Sequence, residues 1–183
     1  MIRSFLVIIA SAMAVAGCAG PIETRVQSHQ LIPVVEQKGF AWSPINPIAN
    51  RDTALARDLV GKLLAQKGYQ QAPDAAILVH VALADRPADI AIDAGDDKTV
   101  RPLVAAKEQK SFQSCKDREH RLTVSLFDQS RGQKLYSGSA SEYHCNGTIA
   151  QSLPFLVDAA LSGLDGGTSD VPLTAIRTRQ GIE

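Results

Sequence analysis

Three cysteines carry the most distinctive chemistry in this chain: Cys18, Cys115 and Cys145. A thiol can be acylated, oxidised to a disulfide or bound to a metal, and its surroundings decide which. Cys18 directly follows an uncharged, mostly apolar run over residues 5–15, whereas the other two lie 30 residues apart in polar stretches. We therefore expect Cys18 to have a different role from Cys115 and Cys145.

The run before Cys18 is typical of a secretory leader, with Arg3 as its positive start. Its eleven residues are too few for a membrane-spanning helix, which needs about 20. Residues 15–18, VAGC, resemble the bacterial lipobox, an aliphatic residue and two small residues before a cysteine. This resemblance implies cleavage after residues 1–17 and a diacylglyceryl group on Cys18, which anchors the chain in a membrane. A plain leader with a chance cysteine and a buried N-terminal helix are the alternatives.

The residue after the cysteine predicts which membrane holds the anchor. It is Ala19, not the aspartate that often retains bacterial lipoproteins in the inner membrane. By that resemblance we expect the periplasmic face of the outer membrane.

An even pair of cysteines in an oxidising compartment predicts a disulfide between Cys115 and Cys145. His120 and His144 lie close by in sequence, so a Cys-His-His-Cys metal site is an alternative. However, His144 and Cys145 are neighbours on a predicted strand and should face opposite ways. A reversible thiol switch and an intermolecular bridge also remain open. We favour a structural bridge and expect no metal and no cofactor.

Catalytic patterns are missing from the sequence. It contains no GxSxG, no HExxH, no phosphate-binding glycine loop and no CxxC. Ser137, Ser139 and Ser141 fall in a predicted strand without an evident base, which favours small sheet residues. His80 lies in a hydrophobic strand and is best explained as structural. We therefore predict that the protein is not an enzyme.

The composition fits one globular domain. The chain has 183 residues, 45% of them hydrophobic, with 19 lysines and arginines against 19 aspartates and glutamates. This balance argues against a nucleic-acid partner, which would require a basic surface.

Two amphipathic helices are predicted. The first covers residues 51–67, with Asn50 as a possible N-cap and a stripe formed by Leu55, Leu59, Val60, Leu63 and Leu64. The second begins near Ser152, a plausible cap, and its stripe is formed by Leu153, Leu156, Val157, Ala160, Leu161 and Leu164.

Alternating apolar residues predict strands over residues 39–44, 75–86, 121–128 and 134–145, and residues 23–29, ETRVQSH, are a weaker candidate for an early strand. These elements predict an α+β fold, a mostly antiparallel sheet of four or five strands with two helices packed on one face. Residues 18–33 would be the lipidated tether, 34–165 the domain with a long loop over 93–120, and 166–183 a polar tail.

The predicted hairpin supports the cysteine pairing. Cys115 and Cys145 are symmetric about Ser130, which lies in the turn between residues 121–128 and 134–145. Cross-strand partners have this symmetry, so extending the hairpin brings the two thiols within bridging distance.

Loose motifs over residues 38–164 resemble a family of small Gram-negative lipoproteins catalogued as a domain of unknown function. They are FAW at residues 40–42, Gly68–Tyr69, Asp74 before a hydrophobic strand, and LYSGSA at residues 135–140. The resemblance implies fold and location only, and the long loop and two cysteines depart from the pattern.

We therefore expect an outer-membrane-anchored periplasmic lipoprotein, a non-catalytic module that binds an envelope protein or lipid. The membrane would be reached through the acyl anchor on Cys18, and the 93–120 loop is the candidate partner surface. An enzyme or small-ligand-binding protein with a pocket between helices and sheet is the alternative. A redox- or stress-responsive envelope module is another.

Overall fold

A computed structural model describes residues 20–32, 38–44, 50–92, 105–109, 113, 115–145 and 147–181. These residues form two helices and seven strands. In chain order the elements are β1 (Ile22–Gln30), β2 (Gly39–Trp42), α1 (Arg51–Gln66), β3 (Gln70–Gln71), β4 (Ile77–Pro87), β5 (Arg118–Asp128), β6 (Gln133–His144), α2 (Ile149–Ala160) and β7 (Leu173–Arg179).

Within the described ranges the strands form one mixed sheet in the order β3-β2-β4-β5-β6-β1-β7. β2 runs parallel to both β3 and β4, and the other neighbouring pairs are antiparallel. The predicted mostly antiparallel sheet of four or five strands is therefore wrong. The parallel pairing arises because α1 lies between β2 and β4 in the chain, and a helical crossover returns the chain in the same direction.

The polar tail expected over residues 166–183 contains β7, which pairs with β1 from Ile22–Arg179 to Ser28–Leu173. Its side chains are almost all exposed, so no alternation of hydrophobic burial marks it in the sequence. Two ion pairs hold it to the rest of the domain, Arg177 with Asp158 of α2 and Arg179 with Glu142 of β6.

The hairpin of β5 and β6 forms the centre of the sheet, with Arg118 opposite His144 and Leu126 opposite Tyr136. In its turn, Asp128 Oδ1 accepts hydrogen bonds from the backbone N–H groups of Ser130, at 2.8 Å, and Arg131, at 3.1 Å. An aspartate that binds the backbone two residues on is a common turn former. The hairpin therefore forms as the sequence predicts, with β5 three residues longer than expected.

Both helices pack on one face of the sheet, and a hydrophobic core fills the space between them. Leu122, Val124 and Leu126 of β5 are completely buried there. All six residues of the predicted second stripe are buried as well. We call this side of the sheet the helix side and the other its open face.

The helix ends follow local capping chemistry. Asn50 is the N-cap of α1, as predicted, and its Oδ1 accepts the N–H of Thr53 at 3.0 Å. α2 begins earlier than predicted, because Thr148 and Gln151 form a capping box. Ser152 is therefore an interior helical residue and is completely buried.

The face that α1 buries is also rotated from the predicted stripe. Its buried residues are Ala56, Val60 and Leu64, while Leu55 remains 37% exposed. Within the described residues, no helix is both long enough and apolar enough to span a membrane.

Candidate functional site

Cys115 and Cys145 form a disulfide with their Cα atoms 5.8 Å apart, which confirms the predicted pairing. The route differs slightly from a simple extension of the hairpin. Because Arg118 pairs with His144, the same register would place Asp117 opposite Cys145. The chain before β5 therefore leaves the register to bring Cys115 to its partner.

The described end of the predicted 93–120 loop packs along the adjacent strand ends. Residues 118–120 belong to β5, which corrects the loop boundary, and residues 93–104 lie outside the described part of the chain. The N–H of Lys107 donates to the Ala88 carbonyl at 2.8 Å. Its Nζ donates to Asp117 Oδ2 at 2.7 Å and lies 5.3 Å from the ring centre of Tyr143.

Cys18, the predicted lipidation site, also lies outside the described residues. The first strand begins at Ile22, shortly after Cys18, so residues 22–30 of the predicted 18–33 tether belong to the sheet. The acyl anchor therefore stays a prediction.

A buried polar group, which we call the helix-side cluster, consists of His120, Glu142, His144 and Ser152. Ser152 Oγ lies 3.3 Å from His120 Nδ1 and 3.1 Å from His144 Nε2. The same His144 Nε2 lies 3.2 Å from Glu142 Oε2. The two histidine rings meet edge to face with centres 4.7 Å apart.

These residue types occur in serine hydrolases, but the geometry differs from a catalytic triad. A triad uses one imidazole nitrogen for the nucleophile and the other for the carboxylate. Here both Ser152 and Glu142 contact Nε2 of His144, and Ser152 is completely buried on the inner face of α2. The cluster therefore joins α2 to β5 and β6 and presents no accessible nucleophile.

Electrostatics fit a structural role for the helix-side cluster. Burial raises the pKa of Glu142, but hydrogen bonds from His144, Arg179, Thr24 and Ser152 outweigh it and lower that pKa to about 2. Glu142 is thus a buried anion with several donors. Burial, followed by the neighbouring His144, lowers the pKa of His120 below its usual value.

A second buried carboxylate, Glu119, lies on the open face. It forms ion pairs with Arg86 and Arg121, and the Arg121 Nε lies 2.7 Å from its Oε1. The Tyr143 hydroxyl donates to the same oxygen at 3.1 Å. Glu119 is completely buried beneath these three side chains, so it fixes the position of each.

Beside Glu119 lies a groove of about 560 Å³, which we call the open-face groove. Its lining includes Arg25, Gln27, Arg121, Ser139, Ser141, Tyr143, Thr174 and Ile176. Arg25 and Arg121 are both Cα partners of Ser141, from β1 on one side and β5 on the other. The Arg25 guanidinium carbon lies 5.1 Å from the ring centre of Tyr143. The groove thus has a serine floor between two arginines.

The sequence-predicted residues fall partly in this groove. Ser139 and Ser141 form its floor, as small sheet residues, and Ser137 lies further along the same face of β6. His80 is exposed on the open face of β4. Arg25 and Arg121 were not singled out by the sequence, because the strands that bring them together are far apart in the chain.

Among the described residues, no group of three or more histidine, cysteine or acidic side chains could hold a metal ion. His120 and His144 are adjacent, but Cys115 and Cys145 are occupied by their mutual bridge.

Comparisons with solved structures give weak likenesses. Two structures of the PelC dodecamer from Paraburkholderia phytofirmans, in different crystal forms, are similar to this chain. The L103M form has 16% sequence identity to it and the other form 15%, and both superpose with a TM-score of 0.48. Each alignment covers 78% of this chain and 97% or 98% of PelC. A PDZ domain protein from Parabacteroides distasonis has 13% identity and a TM-score of 0.56 over 91% of this chain and 41% of its own. No protein-family model and no curated protein matches the chain. The likeness to the PDZ domain protein concerns the fold alone.

Proposed function

We propose that the protein is a lipoprotein anchored in the outer membrane and exposed to the periplasm, where its domain binds an envelope partner without catalysing a reaction. The observation that carries this proposal is the VAGC segment at residues 15–18, which ends shortly before the first strand. An acyl anchor on Cys18 would leave the whole sheet and both helices on the periplasmic side. We also propose that the protein is related to the small Gram-negative lipoproteins that its motifs over residues 38–164 resemble.

The disulfide supports an oxidising compartment. Disulfides persist outside the cytosol and are rare within it. The bridge between Cys115 and Cys145 also uses both cysteines that would remain beside an acylated Cys18. Each thiol then has a defined role.

The packing supports binding over catalysis. The alternative requires a pocket between the helices and the sheet, but the interface between α2 and the sheet is filled by completely buried side chains such as Leu122, Leu153 and Leu156. A groove of about 480 Å³ does lie where α1 meets β2 and β3, and its described lining includes Asp58 and Lys62 but no histidine, serine or cysteine. The polar groups that lie there, around Ser152, are enclosed and lack triad geometry. The open-face groove, by contrast, is accessible, and it replaces the 93–120 loop as our leading partner surface.

Replacing Cys18 by serine tests the anchor. We expect the full-length Cys18→Ser protein to keep its leader and to disappear from the outer-membrane fraction. Cys115→Ser is the matched control, because it removes a different thiol and should leave fractionation unchanged. Normal outer-membrane fractionation of Cys18→Ser would refute the proposal.

Crosslinking in cells, followed by native mass spectrometry of the gently extracted protein, tests the binding role. We expect a reproducible protein or lipid partner whose capture is reduced by substitutions in the open-face groove. If substitutions there leave the captured partner unchanged, the groove is not the partner surface.

A further inference from the structure

We infer that the open-face groove is a binding site for a phosphate group. Its central feature is a row of residues running across adjacent strands: Ile176, Arg25, Ser141, Arg121 and Ala84, each a register partner of the next. Neighbouring strands are about 4.8 Å apart, so the two arginine Cα atoms are separated by about 10 Å. A single tetrahedral anion above the small Ser141 can be reached from both sides.

The two arginines are held in place by their neighbours. Glu119 fixes Arg121 through its Nε and fixes Tyr143 through the hydroxyl. The Tyr143 ring, in turn, lies against the Arg25 guanidinium. A guanidinium that is already positioned loses less side-chain entropy when it binds a ligand.

Charge also favours an anion. Within the described part of the chain, Arg25 forms no ion pair, and its contact with Tyr143 leaves its N–H groups available. The carboxylate of Glu119 is already shared between Arg86 and Arg121. A second acidic residue on the open face, Glu23 of β1, is exposed beside the groove. Around the groove, Arg25, Arg86 and Arg121 thus stand against Glu119 and Glu23, and the nearby Lys107 is paired with Asp117.

Phosphate fits this arrangement better than a carboxylate does. A carboxylate offers two oxygens in one plane, whereas the oxygens of a phosphate point in tetrahedral directions and can accept from guanidinium groups on opposite sides and from a hydroxyl below. The floor supplies hydroxyls from Ser141 and from Ser139, whose Oγ lies 3.3 Å from the Thr123 Oγ1. The exposed Ile176 and Thr174 leave room for the rest of a phosphate ester.

The phosphate could belong to a soluble ester or to a phospholipid headgroup. The second source rests on the proposed anchor: Arg25 is the seventh residue after Cys18, and a segment of that length spans at most about 25 Å. The site itself does not depend on the anchor, because its geometry is formed by the sheet. Normal outer-membrane fractionation of Cys18→Ser, which would refute the proposed anchor, would therefore leave the inference standing.

Calorimetric titration of the purified full chain in nonionic detergent tests the inference. The probes are inorganic phosphate and a short-chain, water-soluble phosphatidylglycerol, with acetate as the carboxylate control, all at constant ionic strength. We expect saturable binding of at least one phosphate probe and weaker binding of acetate. Binding of inorganic phosphate would identify the bare group as sufficient, whereas binding of the lipid alone would identify a headgroup as the source.

Variants of Arg25 provide the residue-level test, because its exposed side chain can be changed without disturbing the core. Losing hydrogen bonds from a charged donor should weaken phosphate binding by roughly tenfold or more in Arg25→Gln. Arg25→Lys, which keeps the charge without the fork, should lose less. The control is Arg131→Gln, in the β5–β6 turn, where the side chain is 70% exposed.

Three results would overturn the inference. The first is that neither phosphate probe binds saturably, and the second is that acetate binds as tightly as phosphate. The third is that Arg25→Gln and Arg131→Gln weaken phosphate binding equally. Thermal unfolding of each variant verifies that the fold is intact.

Discussion

Gly138 lies where the end of α2 comes closest to the sheet, and replacing it should destabilise the domain. The Tyr136 hydroxyl donates to the Ala160 carbonyl at 2.5 Å directly beside it. A Cβ added at Gly138 would lie 2.5 Å from that hydroxyl and 2.9 Å from the Ala160 carbonyl carbon, and closer still to the carbonyl oxygen. Because these atoms belong to a helix end and a buried ring, no flexible side chain can simply move away.

The expected cost of Gly138→Ala follows from two effects. Overpacking in a well-packed core costs about 1–3 kcal/mol. Displacing the Tyr136 hydroxyl from the Ala160 carbonyl costs roughly a further 1 kcal/mol. For a domain of this size, about 2–4 °C of melting temperature is lost per kcal/mol, so we expect a decrease of about 5–15 °C.

Thermal unfolding followed by circular dichroism measures this decrease, with the disulfide intact in every sample. Gly39→Ala is the matched control, because a Cβ there would lie 3.5 Å from that of Ala75, an ordinary contact. It should change the melting temperature by no more than about 3 °C. A Gly138→Ala protein that melts with the wild type and the control would refute the close packing of α2 on β6.

Two further predictions concern the bridge and the response to acid. The bridge closes a loop of 30 residues, so each single serine variant of Cys115 or Cys145, and the double variant, should lower the free energy of unfolding by about 3–4 kcal/mol. Denaturant titrations measure this loss. If the double variant loses the sum of the two single losses, the two cysteines do not share one bridge. Because burial and His144 lower the pKa of His120, the unfolded chain binds its proton first, and stability should fall as the pH drops below about 6.5. In His120→Gln the melting temperature should decrease less between pH 7 and pH 5 than it does in the wild type. An equal decrease in both proteins would exclude His120 as the source of this pH dependence.

The sequence predicts the elements whose signals are local. The alternation in β5 and β6 predicts a hairpin, and the hairpin predicts the bridge, because both depend on contacts within one short stretch of chain. The first helix is predicted as well, but not its exact orientation. Ala56, Val60 and Leu64 face the core, where α1 packs against both α2 and β4, and Leu55 is left outside that line.

Features formed by distant strands could not be predicted in the same way. β7 is exposed along its length and is recognisable only from its pairing with β1. The open-face groove depends on the same long-range pairing, because β1 brings Arg25 beside β6 and the hairpin brings Arg121 to its other side. Glu119 was assigned to a loop, since the strand signal starts only after it.

The sheet carries two buried carboxylates at neighbouring register positions, one on each side. Glu119 pairs with Tyr143 on the open face, and the next pair, His120 with Glu142, faces the helices. Glu142 accepts from Thr24 of β1 at 2.8 Å and from Arg179 of β7 at 2.6 Å. Glu119 therefore holds Arg121 of the groove, and Glu142 holds the edge of the sheet.

This division predicts separable effects on local stability. Removing one member of a buried ion pair leaves an uncompensated charge, so both Glu119→Gln and Glu142→Gln should destabilise their surroundings. Hydrogen exchange resolved by mass spectrometry should show faster exchange in β7 for Glu142→Gln, because Arg179 loses its anionic partner. In Glu119→Gln, β7 should keep its protection while exchange rises at the ends of β4 and β5, where Arg86 and Arg121 lie. Equal loosening of β7 in both variants would show that the two faces act as one network, and the groove could then not be altered without loosening the sheet edge.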